Sequence, residues 1–137
     1  MTPGEARSAR DELEAARRVL RQARSLLDDD ELDGATNRLY YAAFHAARAA
    51  LTVLGLHSRS HYGMINLLEE NYGQADLLRE LFKNRGLADY SPGKFAATRE
   101  QVEAWAASTQ AFVERCHSIV EEAVARGPDE PDPPPDV

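Results

Sequence analysis

The stretch NRLYYAAFHAARAALTVLG, residues 37–55, carries two stripes at once. Tyr40, Phe44, Ala47, Leu51 and Leu54 recur at steps of three and four, which predicts one apolar face of a helix over about residues 32–54. Ala42, Ala43, Ala46, Ala49 and Ala50 keep that helix slim, so neighbours can approach closely, and Gly55 is a natural terminator. The second stripe is polar. Arg38, Tyr41, His45, Arg48 and Thr52 follow one another at +3, +4, +3 and +4, a single line along the helix.

The flanks read the same way, and no segment alternates convincingly with period two. Leu13, Ala16, Leu20, Ala23 and Leu27 predict an amphipathic helix over about 5–28 with its arginines toward water. The acidic run Asp28–Asp33 reads as a turn whose carboxylates cap the next helix. Ser60 and Gly73 bracket a short helix over 61–72, and Leu77, Leu78, Leu81 and Phe82 mark another over 75–84. Asn84–Lys94, with Gly86 and Ser91-Pro92-Gly93, is expected to bend away from helix. Val102, Trp105, Thr109, Phe112, Cys116, Ile119 and Ala123 predict a last long helix over 95–125, with Thr98 and Gln101 resembling a capping box. The expected architecture is all-α, an antiparallel up-and-down bundle of three long and two short helices. It forms one domain over 1–126. The remaining GPDEPDPPPDV, residues 127–137, is acidic, Pro-rich and expected to be disordered.

Length agrees with one domain, since 137 residues sit inside the usual span of a single core. No run of about 18 apolar residues occurs and the N-terminus is polar and Arg-rich, so neither a membrane span nor a signal peptide is expected. A lone cysteine rules out an internal disulfide framework and a Cys-based zinc site, and fits a cytoplasmic protein. The net charge of −7 is uneven. Residues 38–99 carry a net +3, while 28–37 carry −5 and 127–137 carry −4. The acidic total argues against broad non-specific nucleic-acid binding and leaves room for a local basic site.

Two places hold groups suited to chemistry. The polar stripe offers guanidiniums for bidentate phosphate contacts and rings for stacking. A structural account of the same stripe is a solvated or subunit-facing surface whose His and Tyr satisfy hydrogen bonds. The second place is NRGLADYSPG, where Arg85, Asp89 and Tyr90 stand at the expected change of chain direction. There the structural account pairs Arg85 with Asp89 and packs Tyr90 on the bundle. His57 and His61 have metal-like i, i+4 spacing, but they straddle the Gly55–Ser60 break and lack a third ligand, so no metal site is expected. Cys116 reads as a buried, inert thiol and His117 as surface. No phosphate-binding Gly-rich loop and no nucleophile triad can be read, and no cofactor is expected.

Together, RLYYAAFHAARAAL (38–51), SRSHYG (58–63) and RGLADY (85–90) resemble the HEPN family of small prokaryotic helical proteins, over roughly residues 10–120. The resemblance implies a helical bundle that homodimerises through the faces bearing the polar motif. It also implies toxin–antitoxin pairing with a minimal nucleotidyltransferase. In many members an Arg followed four to six residues later by a His forms a metal-independent ribonuclease site. Arg85 matches that Arg, but Tyr90, Ser91 and Pro92 occupy the His positions. A phenol of ordinary pKa about 10 is only about 0.1% ionised at pH 7, a handicap of about 4 kcal/mol as a base.

The favoured reading is therefore a non-catalytic or weakly catalytic HEPN protein of toxin–antitoxin type, binding RNA, a nucleotide or a nucleotidyltransferase through a basic cleft. Arg85, Asp89 and Tyr90 would be its central residues, with Arg38, Tyr41, His45, Arg48 and His61 as binding residues. The alternatives are an endoribonuclease toxin using Arg85 with His45 or His61, and a plain helical scaffold for assembly.

Overall fold

The computed structural model describes residues 1–129 and 131–135. Five α-helices follow in order: α1 (Pro3–Asp28), α2 (Leu32–Thr52), α3 (His61–Tyr72), α4 (Asp76–Tyr90) and α5 (Arg99–Arg126). A short 3-10 turn, Pro92–Lys94, separates the last two, and there is no strand among the described residues. None of the helices is long and apolar enough to cross a membrane.

α2 is the centre. It packs on α1, α4 and α5 and touches α3. Ala42, Ala43, Ala46, Ala49 and Ala50 have no exposed surface, so the slim helix predicted from the alanines is the one around which the others close. The Leu13, Ala16, Leu20, Ala23 and Leu27 stripe is the buried side of α1, and Val102, Phe112, Cys116 and Val120 bring α5 onto the same core. Local signals start the helices. Thr2 and Glu5 form a reciprocal capping box on α1, Ser60 Oγ accepts from the Gly63 amide, and Thr98 Oγ1 accepts from the Gln101 amide.

Four expectations need correction in whole or in part. Within the Asp28–Asp33 run the N-cap of α2, Glu31, makes no side-chain bond, and it is Asp33, in the first turn, whose Oδ1 accepts from the Gly34 amide at 2.9 Å. Asp30 instead takes a left-handed turn (φ 60°) and pairs with Arg99 at 3.1 Å. Residues 84–90 do not bend away, because α4 runs through Gly86 to Tyr90. One helix-interior glycine costs about 1 kcal/mol, less than abandoning a turn of hydrogen bonds. The break comes at Ser91, where the following proline disfavours helical backbone. Leu54 is not on the apolar face but half exposed, because α2 stops at Thr52 and the chain turns away through Gly55 (φ 73°). Thr52 ends the polar stripe, lining the same hollow as Arg48, but is buried and not solvated.

After α5 the described residues have no regular structure, yet two carboxylates return to the start of α1. Asp129 meets the Met1 amino group at 3.1 Å, and Asp132 accepts the Gly4 amide at 2.7 Å. Part of the 127–137 expectation falls on residues 130, 136 and 137, which lie outside the described residues.

Candidate functional site at the α2–α4 face

Arg85 stands in the middle of α4 and reaches across to α2. Its guanidinium carbon lies 5.2, 5.8, 5.4 and 5.9 Å from the ring centres of Tyr40, Tyr41, Phe82 and Tyr90. Four aromatic faces around one cation are favourable electrostatically and shield it from water. The side chain is only 11% exposed. Its Nη1 donates to the Tyr41 hydroxyl at 3.4 Å and lies 3.6 Å from Asp89 Oδ2, while its buried Nε has no partner among the described residues. Asp89 in turn accepts from Asn37 Nδ2 at 2.9 Å, and Asn37 Oδ1 accepts from both Nε and Nη2 of Arg38. The Arg38 guanidinium also stands 5.4 Å over the Tyr41 ring. A relay thus runs from Arg38 through Asn37 and Asp89 to Arg85.

His61, the first residue of α3, shares this box. Its ring stacks on Phe82 at 5.3 Å and lies 5.2 Å from Phe44. Its Nδ1 is hydrogen-bonded to the Tyr40 hydroxyl. Burial, reinforced by the charges of Arg85 and Arg48, pushes the His61 pKa below its ordinary value, so at pH 7 the imidazole is neutral. Burial pushes the Tyr40 phenol far above its ordinary value, so it keeps its proton. Tyr40 is fully buried with no other polar partner among the described residues, so the phenol must be the donor and Nδ1 the acceptor. The single ring proton of His61 then sits on Nε2.

The other half of the polar stripe is engaged elsewhere. Glu12 of α1 accepts from His45 Nδ1 at 2.6 Å and from Arg48 Nη1 at 3.1 Å. Burial opposes the charge of Glu12, but these two hydrogen bonds outweigh it and hold the carboxyl below the usual range. Arg48 also lies 4.5 Å over Phe44. His45 therefore ties α1 to α2 and does not join Arg85. His57 pairs with Glu5 of α1 at 2.8 Å, so it and His61 have separate partners and do not form a ligand pair. A hollow of about 700 Å³ opens on this side, beside Glu5, Glu12, Arg48 and His57.

Of the residues singled out from sequence, Arg85, Asp89, Tyr90, Arg38, Tyr41 and His61 thus share one face, and His45 and Arg48 face α1. Tyr90 does not pack on the bundle: it is 77% exposed, with Arg85 beneath its ring. Tyr40, Phe82 and Asn37 are members that sequence reasoning missed. The Tyr40-Tyr41 pair held a signal for the first, since adjacent residues on a helix point about 100° apart and two faces are served.

The HEPN domain family model matches residues 9–119. A UPF0332 protein of Gloeobacter violaceus is 31% identical, the match covering 83% of this chain and 94% of that one. A Methanocaldococcus jannaschii protein that carries the provisional name of a toxin is 29% identical, covering 80% and 87%. A UPF0332 protein of Thermotoga maritima is 26% identical, covering 78% and 86%.

Proposed function

The chain belongs to the HEPN domain family, and from that premise we propose a toxin-type member whose α2–α4 face binds single-stranded RNA and hydrolyses it weakly or not at all. The relative provisionally named a toxin supports the toxin type. Arg38 and Arg85 supply the cations, and the exposed rings of Tyr90 and Tyr62 supply stacking surfaces. The protein acts as a homodimer or with a nucleotidyltransferase partner, the Tyr62 and Tyr90 surface being the face presented.

One observation carries the weak-hydrolysis part: the Tyr40–His61 hydrogen bond. Metal-free cleavage needs a base for the 2′-hydroxyl while cations stabilise the phosphorane. His61 is the imidazole beside Arg85, and its only lone pair in the ring plane is taken by Tyr40. Its Nε2–H can donate to a phosphate oxygen but cannot accept a proton. Asp89, spread between Arg85 and Asn37, has its charge committed.

A second reading, a ribonuclease with His61 as base, has one observation in its favour: His61 is neutral and shares the box with Arg85. Incubating the protein with end-labelled single-stranded RNA in chelator separates the two. We expect binding that Arg38→Gln weakens, with little cleavage. Cyclic-phosphate ends that vanish in both Arg85→Ala and His61→Gln would overturn the proposal in favour of the nuclease. Binding unchanged in Arg38→Gln, Arg48→Ala and Arg85→Ala alike would leave a scaffold without a ligand face.

A further inference from the structure

We propose that a furrow between α1 and α5 is a second RNA contact, a track for the phosphodiester backbone; this rests on the RNA reading above. Two hollows share Arg17. One, of about 220 Å³, is lined by Arg17, Leu20, Arg21, Arg24 and Gln110, and the other, of about 180 Å³, includes Arg10, Glu14, Arg17, His117 and Glu121. The helices run antiparallel here, so the hollows form one furrow from Arg10 to Arg24, about 21 Å at 1.5 Å per residue.

The charges along it are unbalanced. Arg10 is paired with Glu121 at 3.2 Å. Arg17, Arg21 and Arg24 have no ion-pair or hydrogen-bond partner among the described residues, although the chain carries seven more acidic than basic charges. They stand at i, i+4 and i+7 on one side of α1, where like charges oppose the helix. No carboxylate lines the hollow that holds all three; Glu14 and Glu121 line the second hollow, beyond Arg17, and Glu114 of α5 is occupied by the Gln110 amide at 2.8 Å. Three guanidiniums along one concave strip, none of them ion-paired among the described residues, complement a chain of phosphates, which guanidinium binds through paired N–H donors.

RNA is preferred to an acidic protein segment because the exposed Tyr62 and Tyr90 rings of the α2–α4 face offer it stacking surfaces on the same molecule. His117, expected at the surface, is half-buried and lines the furrow with Nδ1 sealed and unpartnered.

The test is single-stranded RNA binding by fluorescence anisotropy across a salt series, for the native chain, Arg17→Gln/Arg21→Gln/Arg24→Gln and, separately, Arg38→Gln. All three α1 arginines are exposed, and circular dichroism confirms folding of the variants. Losing three phosphate contacts should lower the slope of log affinity on log salt by about 2, at about 0.7 per contact. That is about a 100-fold weaker complex at 0.1 M salt if the proteins converge at 1 M. If the triple variant binds as the native chain does while Arg38→Gln is weakened, the furrow proposal fails and the α2–α4 reading stands. If the native chain does not bind RNA, both fail. Poly-glutamate binding as tightly as RNA, with loss in the triple variant, would reassign the furrow to an acidic protein partner.

Discussion

Replacing Tyr40 by Phe removes one hydroxyl and little else. The ring would keep its neighbours, Tyr41 at 5.2 Å, Phe82 at 5.5 Å, His61 at 5.6 Å and Phe44 at 6.0 Å. What goes is the donor to His61 Nδ1. A net hydrogen bond is worth about 1 kcal/mol, and leaving Nδ1 without a partner in a half-buried ring adds up to about another. Unfolding of a chain this size carries an entropy of about 0.29 kcal/mol/K, so a loss of about 1–2 kcal/mol lowers Tm by about 3–7 °C. Calorimetry reads that directly. Nitrogen NMR reads the chemistry: in the native protein Nε2 of His61 carries the proton and Nδ1 is the acceptor, and in the variant His61 titrates at higher pH because its neutral form has lost a partner. Freed of Tyr40, Nδ1 also becomes available as a base, so any trace of metal-free RNA cleavage should rise. A proton on Nδ1 in the native protein, or an unchanged Tm and titration in the variant, would refute the reasoning.

Glu12→Gln should cost about 1–2 kcal/mol at pH 7, because two charge-assisted, partly exposed hydrogen bonds are lost together. Since the Glu12 carboxyl titrates below its ordinary value in the folded chain, its contribution is complete above about pH 4.5 and fades as pH falls further; native and variant stabilities, followed by denaturant titration, should converge once the pH is below that lowered folded-state value. Gly86→Ala should raise Tm by about 2–3 °C, since a Cβ there meets nothing within 4 Å and alanine is the better helix former by about 0.5–1 kcal/mol. Gly63→Ala should lower it, because a Cβ would fall 2.2 Å from Ser58 Oγ and 2.8 Å from Ser60 Oγ, the α3 cap. Among the described residues, truncation after Arg126 removes the ion pairs Met1–Asp129 and Arg7–Asp132 and two backbone contacts to the α1 start, so thermal melts should shift by about 1–3 °C, and less at high salt.

The helices were legible because their signals are local. Ser60 and Gly73 mark the ends of α3, and Thr98 marks the start of α5, from within a few residues of each boundary. α4 was misjudged because Gly86 weighs against helix only as a propensity, and packing of Leu81 and Ala88 overrides a cost of that size. The site was legible in its cations and not in its pairing. Arg85 and Tyr41 are 44 positions apart, His45 and Glu12 are 33 apart, and spacing along a helix says nothing about which neighbour a side chain will meet. Tyr40 was hidden for a different reason. It is a core residue by its ring and a site residue by its oxygen, and a hydrophobic pattern registers only the ring.

The tight seat of α2 has a consequence for how this molecule can diverge. Along that helix Leu32, Asp33, Gly34, Asn37, Arg38, Tyr41, His45 and Arg48 are the positions with substantial exposed surface; every other position from Ala35 to Thr52 is buried by its neighbours. Added bulk at the alanines would wedge several helices apart at once. Novelty in binding must therefore arise at those few outward positions, or on the peripheral helices, whose outer sides tolerate change. The innermost element acts as a fixed keel, and specificity is a matter of what is mounted around it.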